Sequence, residues 1–188
     1  MGDRPDRATR DVAEVAVGSV GLEMEDPEAF GALVAEHSVA ARRVAAVVLG
    51  QAQGVDDVVQ DASIRAWQRV ETFRPDADFR PWFLRIVANT ARNQIRSTGR
   101  RGRLHLRAAS RELHSVSGSE ERVIESEEHR EVLAAVNRLD APDRLVLALR
   151  HFEEMGEAEM AEVLDCARGT VKSRLSRATN RLREELER

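Results

Sequence analysis

The stretch from Glu157 to Leu186, EAEMAEVLDCARGTVKSRLSRATNRLREEL, decides the fold of this chain. Met160, Ala161 and Leu164 set one helical pattern, and Val171, Leu175, Ala178, Leu182 and Leu186 set a second. Between them lies the turn Asp165-Cys166-Ala167-Arg168-Gly169-Thr170. Helix, tight turn and helix at this spacing make a helix-turn-helix. The apolar positions of the second helix recur at intervals of 4, 3, 4 and 4, so one face packs and the other stays outside. Outside fall Lys172, Ser173, Ser176, Arg177 and Asn180, cations and short hydrogen-bonding groups suited to base edges and phosphates. Arg168, Arg174, Arg181 and Arg183 flank them as candidate phosphate contacts. A solvated amphipathic helix with a basic face is the plain alternative. The acid-free run from Arg168 to Arg183, the turn and the serine spacing weigh against it.

A second basic region lies upstream. Phe79 to Arg107 carries eight arginines and no acidic residue, in a chain whose formal net charge is -4. Positive charge confined in this way points to a polyanion surface at one place. The helix expected after Pro81 divides by face: Arg85, Asn89, Arg92 and Arg96 recur at intervals of 4, 3 and 4, with Asn93 beside them. Arginine can hold phosphate, asparagine can pair with a base edge, and apolar walls can take an unstacked base, so the stripe suits an exposed single strand. A salt-bridged surface helix would need acids at helical spacing, and none occur here. Phe83 reads as a core anchor. Trp82 fits either the core or the nucleic-acid face.

The remaining pattern is helical throughout. Residues 1–25 lack periodicity and read as a mobile tail. Asp26-Pro27-Glu28 starts a helix whose stripe of Phe30, Leu33, Val34, His37, Val44, Val47 and Val48 continues to a stop at Gly50. Val55, Val58, Val59, Ala62 and Ala66 face inward from the next helix, leaving Asp57, Gln60 and Asp61 on its polar side. A solvated face explains those three on composition alone. From Ser97 the pattern dissolves into glycine, serine and arginine, and only Leu104-His105-Leu106 alternates. Periodicity returns with Val132, Leu133, Val136 and Leu139, and Pro142 opens the following helix. The expected architecture is all-α: two small helical domains joined by a flexible linker, the C-terminal one a helix-turn-helix. Its parts are the tail, a domain over 26–98, a basic and polar linker over 99–128 and a domain over 129–188.

Other chemistries are poorly served. His37, His105, His114, His129 and His151 lack metal-ligand spacing, and no phosphate-cradling glycine loop, nucleophile elbow or HExxH occurs. Neither metal, cofactor nor catalytic residue is expected. The one cysteine, Cys166, cannot form an internal disulfide and reads as a packing residue rather than a redox centre. No apolar run approaches a membrane span and the N-terminus lacks a signal-peptide core, so a cytoplasmic location is expected.

Two blocks in order resemble one family. Ala161-Glu-Val-Leu-Asp-Cys-Ala-Arg-Gly-Thr-Val-Lys-Ser-Arg-Leu-Ser-Arg-Ala178 is similar to the C-terminal domain of extracytoplasmic-function (ECF) sigma factors of the sigma-70 family, and Leu139-Asp-Ala-Pro-Asp-Arg144 to that domain's leucine-proline opening. Glu157 departs from the pattern, standing where the family usually has an aromatic. Asp56-Asp-Val-Val-Gln-Asp-Ala-Ser-Ile-Arg-Ala-Trp67 and Phe79-Arg-Pro-Trp-Phe-Leu-Arg-Ile-Val-Ala-Asn-Thr-Ala-Arg-Asn93 resemble the domain that binds core RNA polymerase and melts the −10 element.

The resemblance implies roles for both blocks. Asp57, Gln60 and Asp61 would dock on the coiled coil of the polymerase β′ subunit. Trp82, Arg85, Asn89, Arg92, Asn93 and Arg96 would handle −10 DNA, with Asn89 at a position implicated in holding a flipped non-template base. The loop from Thr72 to Arg80 would help to shape that base's pocket. Arg168, Thr170, Lys172, Ser173, Arg174, Ser176 and Arg177 would meet the −35 element. The basic linker from Arg100 to Arg107 would track polymerase or nucleic acid. Core polymerase, through β′ and β, promoter DNA and an anti-sigma protein are the implied partners. Two rivals remain: a helix-turn-helix regulator acting without polymerase, and a polymerase-binding protein unable to open DNA.

Overall fold

Asp26 caps the first helix, α1 (Pro27–Glu36), its carboxylate accepting from Ala29 N–H at 3.2 Å with Pro27 and Glu28 in the first turn. The computed structural model describes residues 26–74, 76–101 and 127–188. The expected tail and most of the expected linker, with Arg103, Leu104-His105-Leu106 and Arg107, lie outside the described residues.

The long helix expected from Asp26 to Gly50 is two helices. The chain breaks at His37 (φ -97, ψ 9), which ends α1 and starts α2 (Ser38–Leu49). The break turns the imidazole onto Phe79, the rings stacking at 5.6 Å. Phe30, Val44 and Val48 are buried as the stripe requires, whereas Leu33, Val34, His37 and Val47 are only half-buried. α2 ends at Gly50, whose φ of 73° is the left-handed conformation typical of a helix stop.

α3 (Val55–Trp67) buries Val55, Val58, Ala62 and Ala66 and turns the opposite face to solvent. A 3-10 turn (Val70–Thr72) leads on to α4 (Phe79–Arg101), which begins two residues before Pro81 and continues past Ser97 to Arg101. The helix therefore takes in the first residues of the expected linker. Proline sits in its first turn, where a missing N–H breaks no helical bond. Phe83, Leu84, Val87, Ala88 and Ala91 are each fully buried at 0 % exposure, which makes α4 the axis of the N-terminal half. Around its start, Phe30, Phe73, Phe79, Trp82 and Phe83 form edge-on and stacked pairs with centroids 5.1–6.1 Å apart. Such pairs contribute roughly 0.5–1.5 kcal/mol each beyond the area that they bury.

The C-terminal half comprises α5 (Glu127–Arg138), α6 (Ala141–His151), α7 (Glu157–Leu164) and α8 (Arg168–Leu186). Asp140 caps α6 by accepting from Asp143 N–H at 3.0 Å, with Pro142 in the first turn. Glu159 accepts from Gly156 N–H at 2.7 Å and fixes the start of α7. Glu157 is exposed at that start, and Met155, Met160 and Val163 anchor the segment at 0 % exposure. Asp165 (φ 50) ends α7 in the left-handed region, and Ala167 leads into α8. Val171 and Ala178 of α8 are buried, Leu175 and Leu182 are half-buried, and Leu186 is 46 % exposed at the fraying end.

The two halves pack on each other. α2 lies against α6 and α4 against α7, and buried apolar side chains from both halves form one continuous cluster. Among the described residues no strand occurs, and no helix is long and apolar enough to cross a membrane.

Candidate nucleic-acid and polymerase interface

Asp57, Gln60 and Asp61 are all exposed on α3, opposite its buried valines and alanines. Intervals of 3 and 4 align them along the helix. Asp56, one position away, takes Arg42 at 3.1 Å, while no ion pair involves Asp57 or Asp61 among the described residues. Ile64 continues the same face one turn on and is 50 % exposed. Sequence reasoning passed over it. An apolar group continuing an acidic face at the interval i+3 was the available signal.

On α4 the stripe is real but uneven. Asn89, Asn93 and Arg96 are exposed, and Arg85 and Arg92 are half-buried. Arg92 Nη1 donates to Asn89 Oδ1 at 3.0 Å and so holds the amide in place. Burial lowers the pKa of the Arg92 guanidinium below the ordinary arginine value, and the nearby charges of Arg174 and Arg96 lower it further. No carboxylate pairs with Arg85, Arg92 or Arg96 among the described residues. Like charges gathered without acids favour an anion such as phosphate. Trp82 needs correction as a DNA-contacting group. It is 8 % exposed and packed between Phe73 (5.1 Å) and Phe79 (5.6 Å), so its ring belongs to the core beneath the face.

On α8, Arg168, Lys172, Ser173, Ser176 and Arg177 are exposed, with Thr170 and Arg174 half-buried beside them. Local bonds shape this face. Ser173 Oγ donates to Thr170 O at 3.0 Å, and Arg177 Nε donates to Ser173 O at 3.2 Å. Arg181 is differently placed from the phosphate contact expected of it. Its guanidinium pairs with Asp143 and, at 3.7 Å, with Asp140, both at the start of α6. The hydrogen bond and charge of Asp143 raise the Arg181 pKa above its ordinary value. This pairing ties α8 to α6 within the C-terminal half. Arg183 donates to Asn180 Oδ1 at 3.3 Å, which turns it along its own helix.

Cys166 is half-buried at the turn, and no group of three or more histidine, cysteine, aspartate or glutamate side chains is placed to hold a metal among the described residues. Beside the cysteine, an open cleft of about 430 Å³ lies between α4 and the helix-turn-helix, lined by Arg85, Glu162, Asp165 and Arg168 among others.

An exposed acidic helix face, an arginine-asparagine helix and a basic helix-turn-helix thus stand on one chain, all helical among the described residues. The family description "Sigma-70 region 2" matches residues 33–101, and "Sigma-70, region 4" matches residues 129–182. The ECF RNA polymerase sigma-E factor of Haemophilus influenzae is 30% identical over 176 residues, covering 88% of this chain and 92% of that protein. The Escherichia coli sigma-E factor is 33% identical over 163 residues, with 81% and 84% covered. A solved structure of CnrH with the cytosolic domain of CnrY superposes with a TM-score of 0.65 at 30% identity, covering 92% of this chain and 97% of that one. RpoE from Bartonella quintana, solved with the anti-sigma factor NepR, superposes with a TM-score of 0.62 at 28% identity, covering 79% and 90%.

The chain belongs to the sigma-70 family, in its ECF group. It is an alternative sigma factor, a DNA-binding protein of transcription initiation that works with core RNA polymerase at promoters.

Proposed function

We propose that the three surfaces divide the work of initiation. Asp57, Gln60 and Asp61 dock α3 on the β′ coiled coil of core polymerase, and the α4 face of Arg85, Asn89, Arg92, Asn93 and Arg96 opens and holds the −10 strand. Arg168, Thr170, Lys172, Ser173, Arg174, Ser176 and Arg177 set α8 in the major groove of the −35 element. The observation that carries this reading is the separation of charge by helix. α3 offers exposed carboxylates, while Arg85, Arg92 and Arg96 of α4 have no acid in ion-pair range among the described residues. Carboxylates repel phosphate and suit a protein partner; unpaired guanidiniums suit nucleic acid.

The division falls along residues 26–98 for polymerase and −10 DNA and 129–188 for −35 DNA, with 99–128 as the connection. Two of the similar solved structures are complexes, RpoE with the anti-sigma factor NepR and CnrH with the cytosolic domain of CnrY, and this supports an anti-sigma partner here. The chain itself supplies binding and strand separation, bond-forming chemistry belonging to the polymerase, and it acts in the cytoplasm where the polymerase is. The test is Asp61→Arg, measured for core-polymerase binding and for binding of the isolated promoter duplex. Core affinity should fall at least about tenfold, a loss of roughly 1.4 kcal/mol, with duplex binding unchanged. Equal core affinity would remove α3 as the docking helix.

A further inference from the structure

The α4 stripe gathers positive charge that nothing among the described residues neutralises. Asn89, Asn93 and Arg96 are exposed, Arg85 and Arg92 are half-buried, and no carboxylate stands in ion-pair range of the three arginines. Beyond burial, the charge of Arg174 on α8 lowers the Arg92 pKa, so the basic field extends past α4 itself. A field of this kind draws in an acidic chain that can reach it. The protein carries such a segment. Residues 11–25 hold Asp11, Glu14, Glu23 and Glu25 and neither lysine nor arginine, and the run without these cations continues through α1 to Ala41.

The segment also ends in the right place. Asp26 caps α1 one turn before Phe30, and Phe30 packs edge-on against Phe79 at the start of α4, with 5.9 Å between ring centroids. Asn89 lies ten residues further along that helix, a distance of about 15 Å. The fifteen residues of 11–25 can span up to about 50 Å, which covers the stripe with length to spare. Tethering within one chain raises the local concentration to about the millimolar range, so weak surface ion pairs are enough to hold the segment there. The other acid-rich stretch, 119–131, fits less well. It mixes Arg122 and Arg130 among its acids and leads into α5 of the other half.

We propose that residues 11–25 dock as an acidic counterpart along the Arg85, Asn89, Arg92 and Arg96 face of α4 and compete there with nucleic acid. The competition rests on the reading of α4 given above; the docking rests on charge and reach alone. The experiment uses the full chain in a Cys166→Ser background with a nitroxide at Val17→Cys, reading the side-chain amides of Asn89 and Asn93 by NMR. Both signals should broaden at low salt and recover near 1 M salt, where charges are screened beyond about 3 Å. Glu14→Gln, Glu23→Gln and Glu25→Gln together should remove the broadening. The same triple variant should bind a random-sequence single-stranded DNA at least about threefold tighter, the gain expected if the face is free in a third or less of the parent molecules. Glu154→Gln, Glu157→Gln and Glu187→Gln, all at exposed positions, remove equal charge elsewhere and should keep the broadening and gain clearly less. An unbroadened parent would overturn the docking. So would broadening passed from a labelled to an unlabelled chain, which assigns the face to a second copy, or broadening from Ser117→Cys and not Val17→Cys, which assigns it to the linker. Broadening with no gain over the charge control would overturn the competition, and reduced promoter opening by Asn89→Ala would then show that the α4 reading itself still held.

Discussion

Asn89 is central to the strand opening proposed for α4. It is exposed at the middle of the α4 stripe, and the bond from Arg92 at 3.0 Å fixes its amide before any DNA arrives. A pre-set amide loses little freedom on binding a base. Asn89→Ala should leave core-polymerase affinity unchanged and reduce the open-complex fraction, read by permanganate footprinting of unpaired thymines. Full opening by that variant would remove Asn89 from the site. Arg177 raises a different question, because its Nε is already engaged by Ser173 O while the rest of the guanidinium extends from an exposed position. Arg177→Ala should cost about 1–3 kcal/mol on the cognate −35 duplex and relax preference at one base pair. A uniform loss over all sequences with a shallower salt dependence would mark a phosphate contact instead. These candidates were legible because their signals are local: spacing, charge and side-chain type. Trp82 was not, since an aromatic at a helix start has the same local pattern whether it faces Phe73 and Phe79 or solvent.

At the scale of elements, α4 carries both the core and the proposed strand-binding face. Its buried side, Phe83, Val87 and Ala91, holds the N-terminal half together while its other side presents the arginines. Phe83→Ala should therefore destabilise that half by about 3–5 kcal/mol, seen as a lowered denaturant midpoint. A change below about 1 kcal/mol would contradict the burial assigned to it. Element boundaries were readable where capping chemistry or proline marked them, as at Asp26-Pro27, Pro142 and Gly50. The break at His37 was hidden, because the apolar stripe runs through it and the cause, stacking on Phe79, lies 42 residues away in the sequence. The extension of α4 to Arg101 was hidden too. Arginine and serine do not forbid a helix, so a loss of apolar periodicity at Ser97 was mistaken for its end.

At the scale of the whole molecule, the sequence indicated two helical units but not how they meet. Arg144 finds Val47 across 97 positions and Arg80 finds Glu153 across 73, and no periodicity encodes such pairs. Their consequence is a chain in which Asp57, Gln60 and Asp61 of α3 are exposed while Arg85 of α4 lines a cleft against α7. All of this rests on the chain acting through polymerase rather than alone at an operator. The direct measurement is transcription by purified core polymerase with and without this chain, over a set of promoter templates, alongside core binding by the same preparation. Tight association with core enzyme and new, chain-dependent start sites on a subset of templates are predicted. Neither association nor initiation on any template would contradict the sigma-factor role itself.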